Sequence, residues 1–267
     1  MENHFQKVAE AFSYKATQYD TFGEGHINLT RMRQRVYAQV ERFIKPGDHI
    51  LELNAGTGID AVHFSRLGYR VHAIDISPGM LAAIADKATG LGQQDLLTVQ
   101  NCSFTNLRSV QKGPFQYVFS DFGGLNCIPD LSEVAAQIPT VLVPGGRLTW
   151  VIMPPFCPWD IALVFKGEFR NAFRRFSKAG TIANVEGVHF RVHYFSPEQV
   201  LRSLGSHFHL LSLEGLSVLT PTADRKNFAL MHPRLFDWLS RIDDAVSPIF
   251  PFNHWGDFFI LTAEYRP

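Results

Sequence analysis

The sequence predicts an α/β protein built on a doubly wound sheet, and three observations predict it. Residues 49 to 80, HILELNAGTGIDAVHFSRLGYRVHAIDISPGML, read as strand, glycine loop, helix and strand, with an acidic residue closing the second strand. Apolar runs alternate with helical patterns from there to about residue 150, which calls for parallel strands joined by crossover helices. The 267 residues suffice for one sizeable core, and no internal repeat or low-complexity stretch argues for another architecture.

Ile50, Leu51 and Leu53 form the short apolar run of a buried parallel strand. Gly56 and Gly58 follow where the chain must turn into a helix, and glycines there let backbone amides approach a ligand. The helix carries Ile59, Val62, His63, Phe64 and Leu67 at mostly helical spacing, with Gly68 where a helix commonly ends. Arg70 to Ile76 is the second strand, and Asp75 at its carboxyl end stands where a βαβ unit offers a carboxylate to ribose hydroxyls. Ser77 and Pro78 suit the start of the next helix. Residues 96 to 107, LLTVQNCSFTNL, read as a strand and loop, and residues 115 to 128, FQYVFSDFGGLNCI, as another. In residues 141 to 155, Pro144-Gly145-Gly146 supplies turn chemistry before a β-rich run.

Glycine spacing narrows the ligand. The dinucleotide fingerprint is G-x-G-x-x-G, and no three-glycine register fits Asn54-Ala55-Gly56-Thr57-Gly58-Ile59-Asp60. The loop instead resembles motif I of class I S-adenosylmethionine-dependent methyltransferases, E/D-x-G-x-G-x-G, with Glu52 in the acidic position and Asn54 replacing the first glycine. Asparagine is the residue besides glycine that best tolerates positive φ. The segments at 77–81, 96–107, 115–128 and 141–155 resemble the rest of that family's core in order, and AFSYKATQYDTF resembles the lid of the UbiE-like quinone and small-molecule group, with Tyr19 and Asp20 at its Tyr-Asp pair.

The resemblance implies a seven-stranded Rossmann-like methyltransferase sheet with an N-terminal helical lid and cap insertions. It gives a single domain, with residues 1–45 as lid, 46–153 as cofactor-binding core, 154–195 as cap insertion, and 196–267 as the final helix and strands with a lid-like insertion near 220–255. S-adenosylmethionine is the implied cofactor and S-adenosylhomocysteine the product. Glu52 would hold the methionyl amino group, and Asn54, Ala55, Gly56 and Gly58 would admit the methionyl and ribose portions. Asp75 would take ribose hydroxyls, and Ile76, Met80 and Phe104 would contact adenine. Ser103, with its neighbour Cys102, stands where the family places an aspartate near the adenine amino group. Ser120, Asp121 and Phe122 would lie at the methyl donor, and Tyr19 would reach in from the lid or else be a half-buried aromatic of the lid helices. The implied reaction is in-line displacement onto a small-molecule acceptor, apolar or aromatic, with O- or N-methylation preferred. No metal is required, since Asp121 and Asp160 are scattered carboxylates rather than a magnesium-binding cluster. A non-catalytic S-adenosylmethionine-binding protein and an NAD-dependent oxidoreductase are the alternatives.

Beyond the core, IALVFKGEFRNAFRRF repeats Phe165, Phe169 and Phe173, with Phe176, at helical spacing, flanked by Lys166, Arg170, Arg174 and Arg175. This predicts a basic amphipathic helix beside the site. Its Phe stripe is read as ordinary core, with a pocket wall and a membrane-surface contact as the other readings. Phe156, Trp159, Phe165 and Phe190 are the candidates for a substrate wall. Residues 187 to 195, GVHFRVHYF, alternate as a strand carrying His189, which is a candidate general base or a structural or surface histidine. Zinc lacks ligands at any nearby spacing. Ser196-Pro197-Glu198 begins a helix to about His207, followed by strands at 208–219 and 256–266. Between these strands lie a helix, Pro233 to Ile242, and an aromatic loop whose His254 and Trp255 either reach the site or pack near the last strand.

Lys and Arg number 25 and Asp and Glu number 25, so formal net charge is zero. With no long basic run, nucleic acid is not expected as a partner. The 3 cysteines lack C-x-x-C spacing, which argues against a disulfide framework and for a reducing, cytoplasmic setting. No signal pattern and no stretch of about 18 apolar residues is present, so stable membrane insertion is not expected. The expected partner is a small-molecule acceptor, and oligomeric state stays open.

Overall fold

The computed structural model describes residues 9–10, 13, 23, 25–185 and 187–267. Tyr19, Asp20 and most of the expected lid lie outside the described residues. The main elements are α1 (Ile27–Glu41), β1 (His49–Leu53), α2 (Ile59–Arg66), β2 (Arg70–Asp75), α3 (Pro78–Gly90), β3 (Leu97–Asn101), β4 (Phe115–Ser120) and β5 (Leu142–Ile152). They continue as β6 (Thr181–Val185), β7 (Val188–Val192), α4 (Pro197–Leu204), β8 (Phe208–Leu216), α5 (Pro233–Val246) and β9 (Phe258–Tyr265).

Seven strands form one sheet in the order β3-β2-β1-β4-β5-β9-β8, and β6 pairs with β7 in a separate hairpin. Strands β1 to β5 run parallel, while β9 is antiparallel to both neighbours. Because β1 lies between β2 and β4, the crossovers leave in opposite directions there, and a crevice opens at the carboxyl ends of these strands.

Side-chain alternation in β1 divides the core between the two faces of the sheet. Leu51 and Leu53 join Val118, Trp150 and Phe259 on one face, while Ile50 joins Tyr117, Phe119, Val151 and Ile260 on the other. Glu52 shares the Ile50 face, toward α1. In α1, Met32, Val36 and Val40 recur at one-turn spacing and are fully buried. That packing places Arg33 and Tyr37 on the adjoining stripe, above the end of β1. Ser77 caps α3 by accepting from the Met80 amide at 3.2 Å, with Pro78 in the first turn. Ser196 and Gln199 form a reciprocal capping box on α4.

The region between β8 and β9 ties to α1. Asp243 of α5 is completely buried, accepts the Val218 and Leu219 amides at 2.9 and 2.7 Å, and ion-pairs with Arg31 at 3.3 Å.

The expected amphipathic helix over 161–176 does not form. The segment is a series of short turns, including Pro158–Ile161, Phe169–Ala172 and Arg174–Phe176, interrupted at Gly167 with φ 76°. Core packing of the Phe stripe fails with it: Phe165 is 93% exposed, and Phe169, Phe173 and Phe176 are each more than half exposed. What fastens this segment is Arg175, which is buried and donates to Asp160 at 2.7 Å and Asp257 at 2.8 Å. Turning Arg175 inward sets the neighbouring phenylalanines outward. The hairpin beyond is pinned by Asn126, whose amide donates to His193 O at 2.6 Å and whose carbonyl accepts the His193 amide at 2.7 Å.

Candidate functional site

A cavity of about 240 Å³ opens at the carboxyl ends of β1, β2 and β4. A single water needs only about 10–15 Å³ by the same measure, so the space suits a ligand of many atoms. Glu52, Asn54, Ala55, Gly56, Asp75, Ile76, Met80, Phe104, Asp121 and Phe122 line it together, from segments far apart in sequence. Gly58, Ser103 and Ser120 stand behind that surface. Gly58 caps α2 at φ 74° and faces Ile84, which a Cβ would meet at 2.7 Å. The Ser103 hydroxyl pairs with that of Thr105 at 2.8 Å, and Cys102 lines the cavity in its place.

Asn54 adopts φ 46°, the left-handed conformation for which glycine is the usual residue. Its side chain accepts from the Ser120 hydroxyl at 2.8 Å and donates to Asp121 O at 3.3 Å, joining the β1 loop to the end of β4. A Cβ on Gly124 would lie 2.3 Å from the Asn54 amide group, so the FGG sequence after Asp121 leaves the space Asn54 occupies. Asp75 accepts the Gly56 amide at 3.0 Å and the Ser77 amide at 2.8 Å, which fixes the glycine loop over β2. Burial raises its carboxyl, and these amide bonds oppose the rise.

Among the described residues four carboxylates face the cavity, and all are buried: Glu52, Asp60, Asp75 and Asp121. Arg33 is the one cationic side chain among the described lining residues. It pairs with Asp60, lies 4.0 Å from Asp121 and stacks over the Phe122 ring at 4.8 Å. Tyr37 donates to the same Asp60 oxygen at 2.6 Å. Among the described residues Glu52 Oε2 and Asp121 Oδ2 are buried without a hydrogen-bond partner. Burial, then the Asp60 and Asp121 charges, hold the Glu52 carboxyl well above the ordinary range. Burial and then Asp60 push Asp121 up, against the pull of Arg33. Phe122 itself sits at φ 42°, a strained position for a bulky residue, with its ring edge-on to Phe258 at 5.5 Å.

Arg33, Tyr37 and Asp60 were not singled out by sequence reasoning. A signal existed: Arg33 and Tyr37 are one turn apart beside the apolar stripe of α1, and Asp60 falls in the first turn after the glycine loop.

The far end of the cavity is apolar, walled by Phe122, Cys127, Met153, Phe190 and Val192. Burial, then the charge of Asp75, pushes the Cys127 thiol up to about 12, so it is neutral rather than nucleophilic. Within the β6–β7 hairpin, Ala183 opposes Phe190 and Ile182 opposes Arg191. Alternation therefore turns Phe190 and Val192 inward and sets His189 outward with Arg191, where it is exposed. Other expected residues also lie away from the cavity. Phe156 packs on Trp255 at 4.7 Å, and Trp159 donates to Leu219 O at 2.9 Å. Phe165 projects from the surface, and His254 pairs with Glu198 at 2.6 Å. Among the described residues no group of three His, Cys, Asp or Glu could hold a metal ion. No helix among them is long and apolar enough to cross a membrane.

The sheet order, the glycine loop and the acid closing β2 are those the resemblance to class I S-adenosylmethionine-dependent methyltransferases implies, and known proteins show the same likeness over the core. Residues 50–146 match the methyltransferase domain family. A demethylmenaquinone methyltransferase of Corynebacterium glutamicum is 32% identical over 152 residues, covering 53% of this chain and 57% of that protein. A ribosomal protein L11 methyltransferase of Thermus thermophilus is 28% identical over 127 residues, covering 47% of this chain and 45% of that one. The chain thus spans about half the length of the curated relatives it matches. Among solved structures, the 1,6-didemethyltoxoflavin-N1-methyltransferase of Burkholderia thailandensis, determined with bound 1,6-didemethyltoxoflavin and S-adenosylhomocysteine, superposes with TM-score 0.58 at 15% identity, covering 100% of this chain and 90% of that one. That likeness is one of fold.

Proposed function

We propose that this protein transfers a methyl group from S-adenosylmethionine to a small apolar or aromatic acceptor held between the glycine loop and the β6–β7 hairpin. The observation that carries this reading is charge: Glu52, Asp60, Asp75 and Asp121 face one cavity against the single guanidinium of Arg33. A ligand bearing a sulfonium and an ammonium complements that surface, whereas a dinucleotide would bring its pyrophosphate against buried carboxylates.

The residues present fit the group, since Glu52 and Asp121 each hold a buried oxygen without a hydrogen-bond partner among the described residues. Asp75 keeps lone pairs for ribose hydroxyls after accepting its two amides. Glu52 would accept from the methionyl ammonium and Arg33 would pair with the methionyl carboxylate. Ile76, Met80, Cys102 and Phe104 would enclose adenine. When bound, S-adenosylmethionine supplies an electrophilic methyl carbon on a cationic sulfur.

The chain's own contribution is positioning and dryness. Phe122, Cys127, Met153, Phe190 and Val192 exclude water at the apolar end, where reacting atoms must be held about 3 Å apart. An acceptor that arrives protonated would pass its proton to Asp121, the carboxylate at the end of β4. Oxygen and nitrogen acceptors are our first candidates, because they bring their own lone pair. We read the chain as one catalytic unit, with residues 154–195 closing the acceptor end, in a reducing cytoplasmic setting that suits three buried cysteines joined in no disulfide among the described residues.

Titration with S-adenosylhomocysteine and, separately, NADH tests the cofactor. Binding of the former alone is expected, and binding of NADH alone would overturn the reading. A screen of apolar metabolites against methyl-labelled cofactor then tests the acceptor, with ribosomal protein and RNA as competing substrates.

A further inference from the structure

We infer that the outer face of the segment 161–191 docks on an anionic lipid bilayer. Phe165 is 93% exposed, Phe169 59%, Phe173 52% and Phe176 51%, and Ile182 on the hairpin's outward side is 66% exposed. Isolated exposed apolar residues are ordinary, but a contiguous set is not. Part of this set is contiguous: the Phe173 and Phe176 rings are 6.1 Å apart, Phe176 meets Phe156 at 6.4 Å, and Phe156 meets Trp255, while Phe165 and Phe169 lie on the same short segment. The loop carrying Trp255 also exposes Ile249 and, at 73%, Phe250.

Charge selects the occupant. Lys166, Arg170, Lys178 and Arg191 are exposed among these aromatics, Arg174 beside them is paired with Asp160 at 3.1 Å, and Glu168 is the one exposed acid among the described residues of 161–191. The whole chain has formal net charge zero, so this cationic surface is a local feature. Aromatic side chains interleaved with lysine and arginine match an interface of anionic headgroups over acyl chains: rings enter the boundary while cations stay at the phosphates. A protein partner's apolar face would leave those cations to be desolvated without counter-charge. The same hairpin turns Phe190 and Val192 into the cavity, so its two faces divide between ligand and bilayer.

The test is co-sedimentation of the full chain with vesicles of phosphatidylcholine and phosphatidylglycerol in equal parts, and with vesicles of phosphatidylcholine alone. Pelleting with the anionic vesicles only, weakened by added salt, is expected. Each cation near an anionic surface contributes about fivefold to partitioning, so Lys166→Glu with Arg170→Glu should reduce it about 25-fold or more. Phe165→Ser with Phe169→Ser should reduce it at least about tenfold. These side chains are exposed and distant from the cavity, so unchanged melting and unchanged S-adenosylhomocysteine titration verify folding and keep this test separate from the proposed activity. Full chain left in the supernatant with anionic vesicles, equal pelleting with neutral ones, or variants that pellet as well as the parent would each overturn the inference. Self-association of the parent that the Phe165→Ser, Phe169→Ser variant abolishes would overturn it too, by making the patch a subunit interface.

Discussion

Replacing Glu52 by glutamine should stabilise the protein while weakening cofactor binding, because in the proposed function this buried carboxylate would serve the ligand at the expense of the fold. Glu52 is 2% exposed, its Oε2 has no hydrogen-bond partner among the described residues, and burial together with Asp60 and Asp121 raises its carboxyl well above the usual range. An acid whose folded-state value is raised contributes stability fully present below its unfolded value, and that contribution is lost as pH rises through the folded value. As pH rises the parent therefore carries a growing penalty that the amide, uncharged at every pH, lacks. The gain is the charge penalty alone, about 1.4 kcal/mol for each tenfold rise in the carboxyl's proton affinity, and each 1 kcal/mol corresponds to about 2–4 °C in a chain of this size. Losing a charged hydrogen bond to the methionyl ammonium, about 1.5–3 kcal/mol, should weaken affinity about 10- to 150-fold. Thermal melts at about pH 8 and pH 5 with calorimetric titration of S-adenosylhomocysteine measure both, and the melting difference should narrow at the lower pH. A Glu52→Gln variant that melts lower at the higher pH, or binds as tightly as the parent, would refute this reasoning.

Cofactor affinity should itself rise with pH through the elevated values of Glu52 and Asp121, since binding a cation favours their ionised forms; an affinity that falls over that range would contradict the assignment. Gly124→Ala should destabilise by about 1–3 kcal/mol through its clash with Asn54, and Asn54→Gly should relieve that cost, giving a favourable coupling of at least about 0.5 kcal/mol in a double-mutant cycle. Arg175→Met would leave Asp160 and Asp257 buried without their cation and should cost about 3–5 kcal/mol in a denaturant titration. Asp75→Asn should weaken S-adenosylhomocysteine binding by about 1–3 kcal/mol, measured by calorimetry.

The parallel core was legible because its signals are local. The β1 run, the positive-φ positions Asn54, Gly56 and Gly58, and Asp75 at the end of β2 fall within one βαβ unit, where spacing alone brings them together. Arg33 and Asp60 were not legible because their meeting depends on how α1 crosses the sheet, which no local period encodes. The phenylalanine spacing over 165–176 suggested a helix, yet Gly167 and the buried Arg175 override that periodicity. His189 and Phe190 show the limit of type-based choice: both residue types suit an active site, and strand alternation sends one outward and the other in. His254 was drawn toward the site by its place in a long loop, but it is held by Glu198 of α4.

Incubation with methyl-tritiated S-adenosylmethionine and an organic-soluble metabolite extract, followed by separation of small molecules, protein and RNA, tests the central claim most directly. The account predicts label in a low-mass, organic-extractable product, with S-adenosylhomocysteine released in equal amount. Label recovered only in protein or RNA, or no label transferred by a chain that binds the cofactor, would contradict it.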